Sequence, residues 1–151
     1  MWPREQLSLR NRNWRKNLKQ FITEVVKRYN KVTIILFGSR ARGDYSALSD
    51  TDLLVVLEKT SIRTLEDILS IAYKSDLIAP EIHLFEKEWV LENFEKNTVL
   101  LDAIYEGIVL IDNLRIIKQL KNRLTQLMKL GWRKQRDGWF KEKANYREEQ
   151  S

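Results

Sequence analysis

Cysteine is absent from the 151 residues, which excludes disulfides and thiolate metal sites. No apolar run approaches the length needed to span a bilayer. The N-terminal stretch MWPREQLSLRNRNW carries early charge but no apolar segment of the secretory type, so a cytoplasmic protein is expected. Internal repeats and low-complexity segments are also missing. What remains is a chain with 43% hydrophobic and 10% aromatic residues, long enough to bury a real core and too apolar to be disordered.

A net charge of +6 hides a strong asymmetry. Residues 1–31 hold nine Lys/Arg against two acids, residues 44–112 fifteen acids against five bases, and residues 115–147 eleven bases against two acids. An acidic middle is therefore flanked by two basic ends. Those ends are either solvated faces packing on the acidic body or an attraction for a polyanion, whether nucleic acid or an acidic partner.

The hydrophobic pattern alternates between two periods. Trp14, Leu18, Phe21, Ile22, Val25 and Val26 recur at helical spacing and predict an amphipathic helix over 8–30. Val32–Phe37 and Leu53–Leu57 are short β-branched or apolar runs that read as buried strands, and 38–49 reads as loop. Thr64 with Asp67 resembles a helix cap, with a helix running to about Leu77. A third strand follows Pro80, with Glu81, His83 and Phe85 on one face and Ile82 and Leu84 on the other. Helical patterns cover 87–96 and 98–106, stopping at Gly107; a short strand covers 108–111; and a helix runs from Leu114 to about Leu130. Residues beyond Gly131 show no clear period. Strands alternating with helices predict an α/β or α+β fold, a mixed sheet with helices packed on it.

The chemistry concentrates in LFGSRARGDYSALSDTDLLVV, residues 36–56. Gly38 and Ser39 follow a buried strand, where a sharp turn can present backbone N–H groups and the Ser39 hydroxyl to phosphate oxygens. Asp50 and Asp52, one residue apart at extended geometry, would lie on one side with Cα atoms roughly 6.5–7 Å apart. Two carboxylates so placed repel each other unless a cation lies between them. Mg²⁺ favours a few carboxylates together with waters and substrate phosphates. A capping or turn role in SALSD is the competing reading. Arg40 and Arg42 could steady triphosphate charge or simply solubilise the surface.

The Gly-Ser turn, the ten-residue spacing, the D-x-D triplet and the apolar strand after it together resemble the nucleotidyltransferase superfamily that includes DNA polymerase beta. The longer form GSRARGDYSALSDTDLLVV is similar to the minimal nucleotidyltransferases of bacteria and archaea, often encoded beside HEPN-domain proteins as antitoxins. That resemblance implies transfer of a nucleoside monophosphate, AMP from ATP above all, to an acceptor hydroxyl. It further implies triphosphate contacts at Gly38 and Ser39, Mg²⁺ at Asp50 and Asp52, and a third carboxylate on a later strand. Glu81 is the candidate for that third group, although the family's residue there is usually aspartate. Asp76 is the alternative, and Asp44 falls in the variable loop. His83 could tune Glu81, touch substrate or be a core histidine.

By the same resemblance the catalytic domain covers 1–112, leaving 113–151 as a basic helical extension. Trp132 and Trp139, set among basic residues, could stack nucleic-acid bases or dock on the domain. Three functions stay open: a transferase acting on a HEPN-type partner protein, a non-catalytic nucleotide-binding antitoxin, and an RNA-directed transferase using the basic ends.

Overall fold

The run Val32–Phe37 is buried along its whole length as strand β1 in the computed structural model, which describes residues 12–142. Such a strand needs partners on both edges and cover on both faces. β2 (Thr51–Leu57) pairs antiparallel on one edge, from Val32 opposite Leu57 to Phe37 opposite Asp52. β3 (Pro80–Glu86) lies parallel to β2, with Asp52 opposite Glu81 and Leu54 opposite His83. β4 (Ile108–Asp112) pairs antiparallel with the other edge of β1, giving a mixed sheet in the order β3-β2-β1-β4.

Alternation along the strands divides the core into two layers. Ile34, Leu36, Leu53, Val55 and Leu57 meet helix α1 (Trp14–Tyr29) through Leu18, Phe21 and Val25. The same layer takes Ile68, Ile71 and Ala72 of the helix between β2 and β3, Ile62–Lys74. Counting the single turn Ser39–Arg42 as α2, this helix is α3. On the opposite face Ile35, Phe37, Leu54 and Val56 pack with α4 (Lys87–Asn93), α5 (Thr98–Glu106) and α6 (Ile117–Lys129).

Several element ends differ from expectation, each for a local reason. β2 begins at Thr51 rather than Leu53, because the buried Thr51 hydroxyl donates to the Ile78 carbonyl at 2.6 Å. The cap of α3 is Ser61, not Thr64. Ser61 Oγ accepts the Thr64 N–H while Thr64 Oγ1 accepts the Ser61 N–H, a reciprocal box with threonine in the usual Glu/Gln place. Asp67 instead pairs with Arg28 and accepts the Tyr29 hydroxyl at 2.6 Å, tying α1 to α3. α3 stops at Lys74, so Asp76 lies outside it, in the left-handed region at φ 57°. The pattern over 87–96 splits into α4 and a 3₁₀ turn, Phe94–Lys96. Gly107 closes α5 where a Cβ would overlap the Ala103 carbonyl and Ile35. Residues 8–11 of the predicted first helix lie outside the described residues.

The C-terminal segment forms a hairpin that periodicity did not reveal, β5 (Trp132–Gln135) paired with β6 (Gly138–Lys141). Its Trp139 is buried in the same core layer as Leu120 and Leu124 of α6, and Trp132 packs against that layer. Both tryptophans therefore dock on the domain. The basic ends also meet the acidic middle directly, through Arg28–Asp67, Arg123–Glu95, Lys134–Asp102 and the longer Lys31–Glu58 pair. Among the described residues no helix is long and apolar enough to cross a membrane.

One carboxylate joins β4, β1 and α6. Asp112 Oδ1 accepts the hydroxyl of fully buried Thr33 at 2.7 Å and the Ile116 N–H at 3.1 Å, and Oδ2 accepts the Ile117 N–H at 3.2 Å. Asp112→Ala leaves two helix-terminal donors and a buried hydroxyl unpaired and should cost about 2–3 kcal/mol. Adding Thr33→Val removes the orphaned hydroxyl and should recover part of that loss. Urea unfolding of the four variants checks both statements, and strictly additive losses would mean that Asp112 acts on α6 alone.

Candidate active site

The site begins where β1 ends. Gly38 turns the chain at φ 74°, and its carbonyl accepts the N–H groups of Ala41 and Arg42, both at 3.1 Å. The conformation favours glycine, and so does the space: a Cβ at Gly38 would overlap the Asp52 carboxylate. The close approach that this glycine permits is thus made first of all by an acidic side chain of the neighbouring strand.

Strand pairing supplies the next residues. Parallel register sets Asp52 beside Glu81, and alternation brings His83 to the same face, two residues along. One ligand atom from each of Asp52, Glu81 and His83 lies within 4.8 Å of the others. His83 Nε2 is 3.7 Å from Glu81 Oε1, and its ring packs tilted against Phe37 with centroids 5.4 Å apart. Asp50, in the loop just before β2, opens onto the same cleft of about 450 Å³. Gly38, Ser39, Arg42 and Ser49 line it from the turn and loop, while Asp102, Glu106 and Lys134 line it from α5 and the hairpin.

Like charges at this spacing resist ionising together. Burial, then the hydrogen bond and charge of Glu81, then the charge of Asp50, push the Asp52 carboxyl from its ordinary value near 3.8 up to about 7; Arg42 works in the opposite direction. Near neutral pH, Asp52 alternates between holding a proton and being free to ligate. Hard carboxylate oxygens, forced together and aided by one imidazole, fit a divalent cation, which would replace the shared proton.

The predicted residues divide into those brought together and those placed elsewhere. Gly38, Ser39, Arg42, Asp50, Asp52, Glu81 and His83 all line the cleft, and His83 belongs to the site rather than to the core. Arg42 donates to Glu106 at 3.0 Å and to Asp44 at 3.3 Å. Arg40, expected beside the triphosphate or on the surface, is buried and turned away from the cleft. It donates to the Ser49 carbonyl from Nε at 3.2 Å and from Nη2 at 3.0 Å, with its guanidinium over the rings of Trp14 and Tyr45. Its work is to hold the loop that carries Asp50. Asp44 and Asp76 lie outside the cleft lining. Sequence reasoning missed Asp102, Glu106 and Lys134. The first two share a face of α5 at helical spacing, a signal that was available; Lys134 depends on the hairpin and gave none.

Residues 18–123 match the nucleotidyltransferase domain family. The chain belongs to that family. It is a nucleotidyltransferase, an enzyme that transfers a nucleoside monophosphate. A Methanocaldococcus jannaschii protein, provisionally named a protein adenylyltransferase, is 26% identical over 93 residues, covering 56% of this chain and 93% of its own length. Among solved structures, a toxin–antitoxin crystallised with AMP-PNP aligns at a TM-score of 0.51 with 18% identity, over 72% of this chain and 85% of that one. A mutant of the MntA-HpeT toxin–antitoxin aligns at 0.51 with 16% identity, over 75% and 86%. These two likenesses support the fold, a mixed sheet flanked by helices.

The geometry of this cleft makes two expectations specific. Gly38→Ala should displace the Asp52 carboxylate and lower transfer by on the order of 10²-fold, since catalytic groups misplaced by about 1 Å lose that much. Stability should fall as well, because the backbone there favours glycine; full activity in a folded mutant would detach Gly38 from Asp52. The second expectation concerns pH. Because the folded chain binds the Asp52 proton more tightly than the unfolded chain, its contribution to stability is complete below pH ~4 and lost as pH rises through about 7. Thermal unfolding without divalent metal should therefore show Asp52→Asn gaining on wild type across that window. Millimolar Mg²⁺ at pH 8 should raise the wild-type Tm and leave that of the mutant unchanged.

Proposed function

We propose that the chain transfers AMP from Mg²⁺-bound ATP to a hydroxyl on a partner protein. The observation that carries this reading is the parallel pairing of Asp52 with Glu81, in a cleft that also holds Asp50 and the Gly38-Ser39 turn. A phosphate-binding turn and a carboxylate cluster sharing one wall suit attack at a phosphorus atom.

Each group then has a task. The Ser39 hydroxyl and the N–H groups following Gly38 hold triphosphate oxygens, and Arg42 offsets their charge. Asp50, Asp52 and Glu81 would hold Mg²⁺, with His83 beside them. When bound, the ion neutralises the triphosphate and makes the acceptor hydroxyl more acidic. The acceptor oxygen forms a bond to the α-phosphorus while the bond to the bridging oxygen breaks, and pyrophosphate departs with that electron pair. The hydroxyl proton passes to the Glu81 carboxylate. Arg40 keeps Asp50 within reach by fixing the loop from Ser46 to Ser49.

A protein acceptor is favoured over RNA because Arg28 and Arg123, cations of the two basic ends, are engaged by acids of the body. The provisional name of the archaeal relative and the toxin–antitoxin assemblies of the fold neighbours support a protein partner; a HEPN-type toxin is the partner that the sequence resemblance implies.

Transfer of label from α-³²P-ATP to purified candidate partners, in Mg²⁺, tests the reading. Wild type should label a protein band, and Asp50→Asn with Asp52→Asn should abolish it while the circular dichroism spectrum is retained. Glu81→Gln should slow the chemical step by roughly 10²–10⁴-fold with little change in ATP affinity. Labelling that survives the double mutation would remove the carboxylates from the mechanism.

A further inference from the structure

The hairpin β5–β6 is packed to the cleft by one carboxylate. Asp102 Oδ1 accepts from Trp139 Nε1 at 2.9 Å and from Lys134 Nζ at 2.7 Å. Trp139 is buried in the core, so the hairpin has little freedom to move away. Lys134, three-quarters buried along its side chain, nevertheless lines the cleft that contains Asp50, Asp52, Glu81 and Ser39.

One helical turn further along α5, Glu106 holds Arg42 in the same way. Two cations are thus presented into one cleft by two acids at i and i+4 of a single helix, about 6 Å apart along its axis. An ion pair made only for stability would be cheaper on the surface, whereas here both cations reach the space where the turn and the carboxylate cluster face solvent. Lysine carries three donors, and the contact with Asp102 uses one of them. The ammonium can keep that contact and still bind an oxyanion.

We propose that Lys134 is a substrate-binding residue that contacts the polyphosphate of the incoming nucleotide from its place beside Asp102. The inference rests on the nucleotidyl-transfer reading above and adds to it a second cationic contact, delivered by the C-terminal hairpin. Arg42 and Lys134 then form a two-point grip, suited to an extended anion of several phosphates rather than to a single phosphate. Nucleotide affinity consequently depends on a segment that follows the last strand of the main sheet.

The test is equilibrium binding of Mg-ATP, magnesium tripolyphosphate and adenosine to the full chain, followed by calorimetry. Lys134→Ala should weaken Mg-ATP and tripolyphosphate by about tenfold, leave adenosine unchanged, and be largely rescued by Lys134→Arg. Asp102→Asn still offers an acceptor to Trp139 and removes a negative charge from the cleft, so it should change affinity for either polyphosphate by less than about threefold. Equal losses in Lys134→Ala and Asp102→Asn would overturn the proposal, because they would mean that the pair only anchors the hairpin. Unchanged polyphosphate binding in Lys134→Ala, with wild type binding normally, would overturn it while leaving nucleotidyl transfer in place. Failure of wild type to bind Mg-ATP at all would overturn both readings together.

Discussion

Two carboxylates on adjacent parallel strands, Asp52 and Glu81, stand opposite each other, and burial together with the neighbouring Glu81 raises the cost of ionising Asp52. Much of the architecture can be understood as what is needed to hold them there. Parallel register places them opposite each other, and the glycine at the end of β1 opens room for the Asp52 oxygen. A fold that keeps an unfavourable pair at close range must draw its stability from elsewhere. Here the source is a sheet whose central strands, β1 and β2, are buried on both faces and whose two core layers are separate.

The same constraint explains why small details around the site are specific. Asp50 sits in a loop, which would wander without support. Arg40 supplies that support from inside the protein, between two aromatic rings and against the Ser49 carbonyl. An arginine next to a phosphate-binding turn would ordinarily be assigned to the ligand. Its burial shows that charge near a site can serve the backbone of the site instead. Arg42, two residues later in the same turn, points the other way and lines the cleft. A helix of four residues suffices to send the two guanidinium groups in different directions.

That division marks the limit of what the sequence made legible. The strands β1, β2 and β3 were readable because runs of β-branched and aliphatic residues bounded by Gly, Asp and Pro have few other solutions. Alternation converts sequence spacing into a shared face, which holds for Asp52 within β2, while Asp50 lies in the loop before that strand and reaches the cleft from there. Alternation also put Glu81 and His83 on one face of a third strand, whereas Glu81 as the third carboxylate was what the family resemblance implied. What spacing could not convey was which side of a short turn Arg40 would take, since both choices satisfy the local pattern. The cap at Ser61 was hidden by threonine in the usual Glu/Gln position. The hairpin was hidden for another reason: WRKQ and GWFK alternate weakly, and Trp139 is buried by contacts with α5 and α6 that are remote in sequence.

The charge distribution, ambiguous in the sequence, acquires a structural meaning once these contacts are known. Basic ends around an acidic middle could have been two separate surfaces. Instead they are partly folded onto each other, with Arg28 on Asp67, Arg123 on Glu95 and Lys134 on Asp102. Arg28–Asp67, whose arginine is the most exposed of these cations, adds little stability by itself. Of these three cations only Lys134 reaches the cleft, and under the proposed transfer that cleft receives a polyanionic substrate. An acidic cleft without such cations would repel a triphosphate even where it attracts metal. Under the proposed transfer Lys134 and Arg42, far apart in the sequence, meet that difficulty, each paired with an acid of α5. On the proposed reading, the segment beyond the main sheet is therefore part of how the cleft balances affinity for cations with affinity for phosphate.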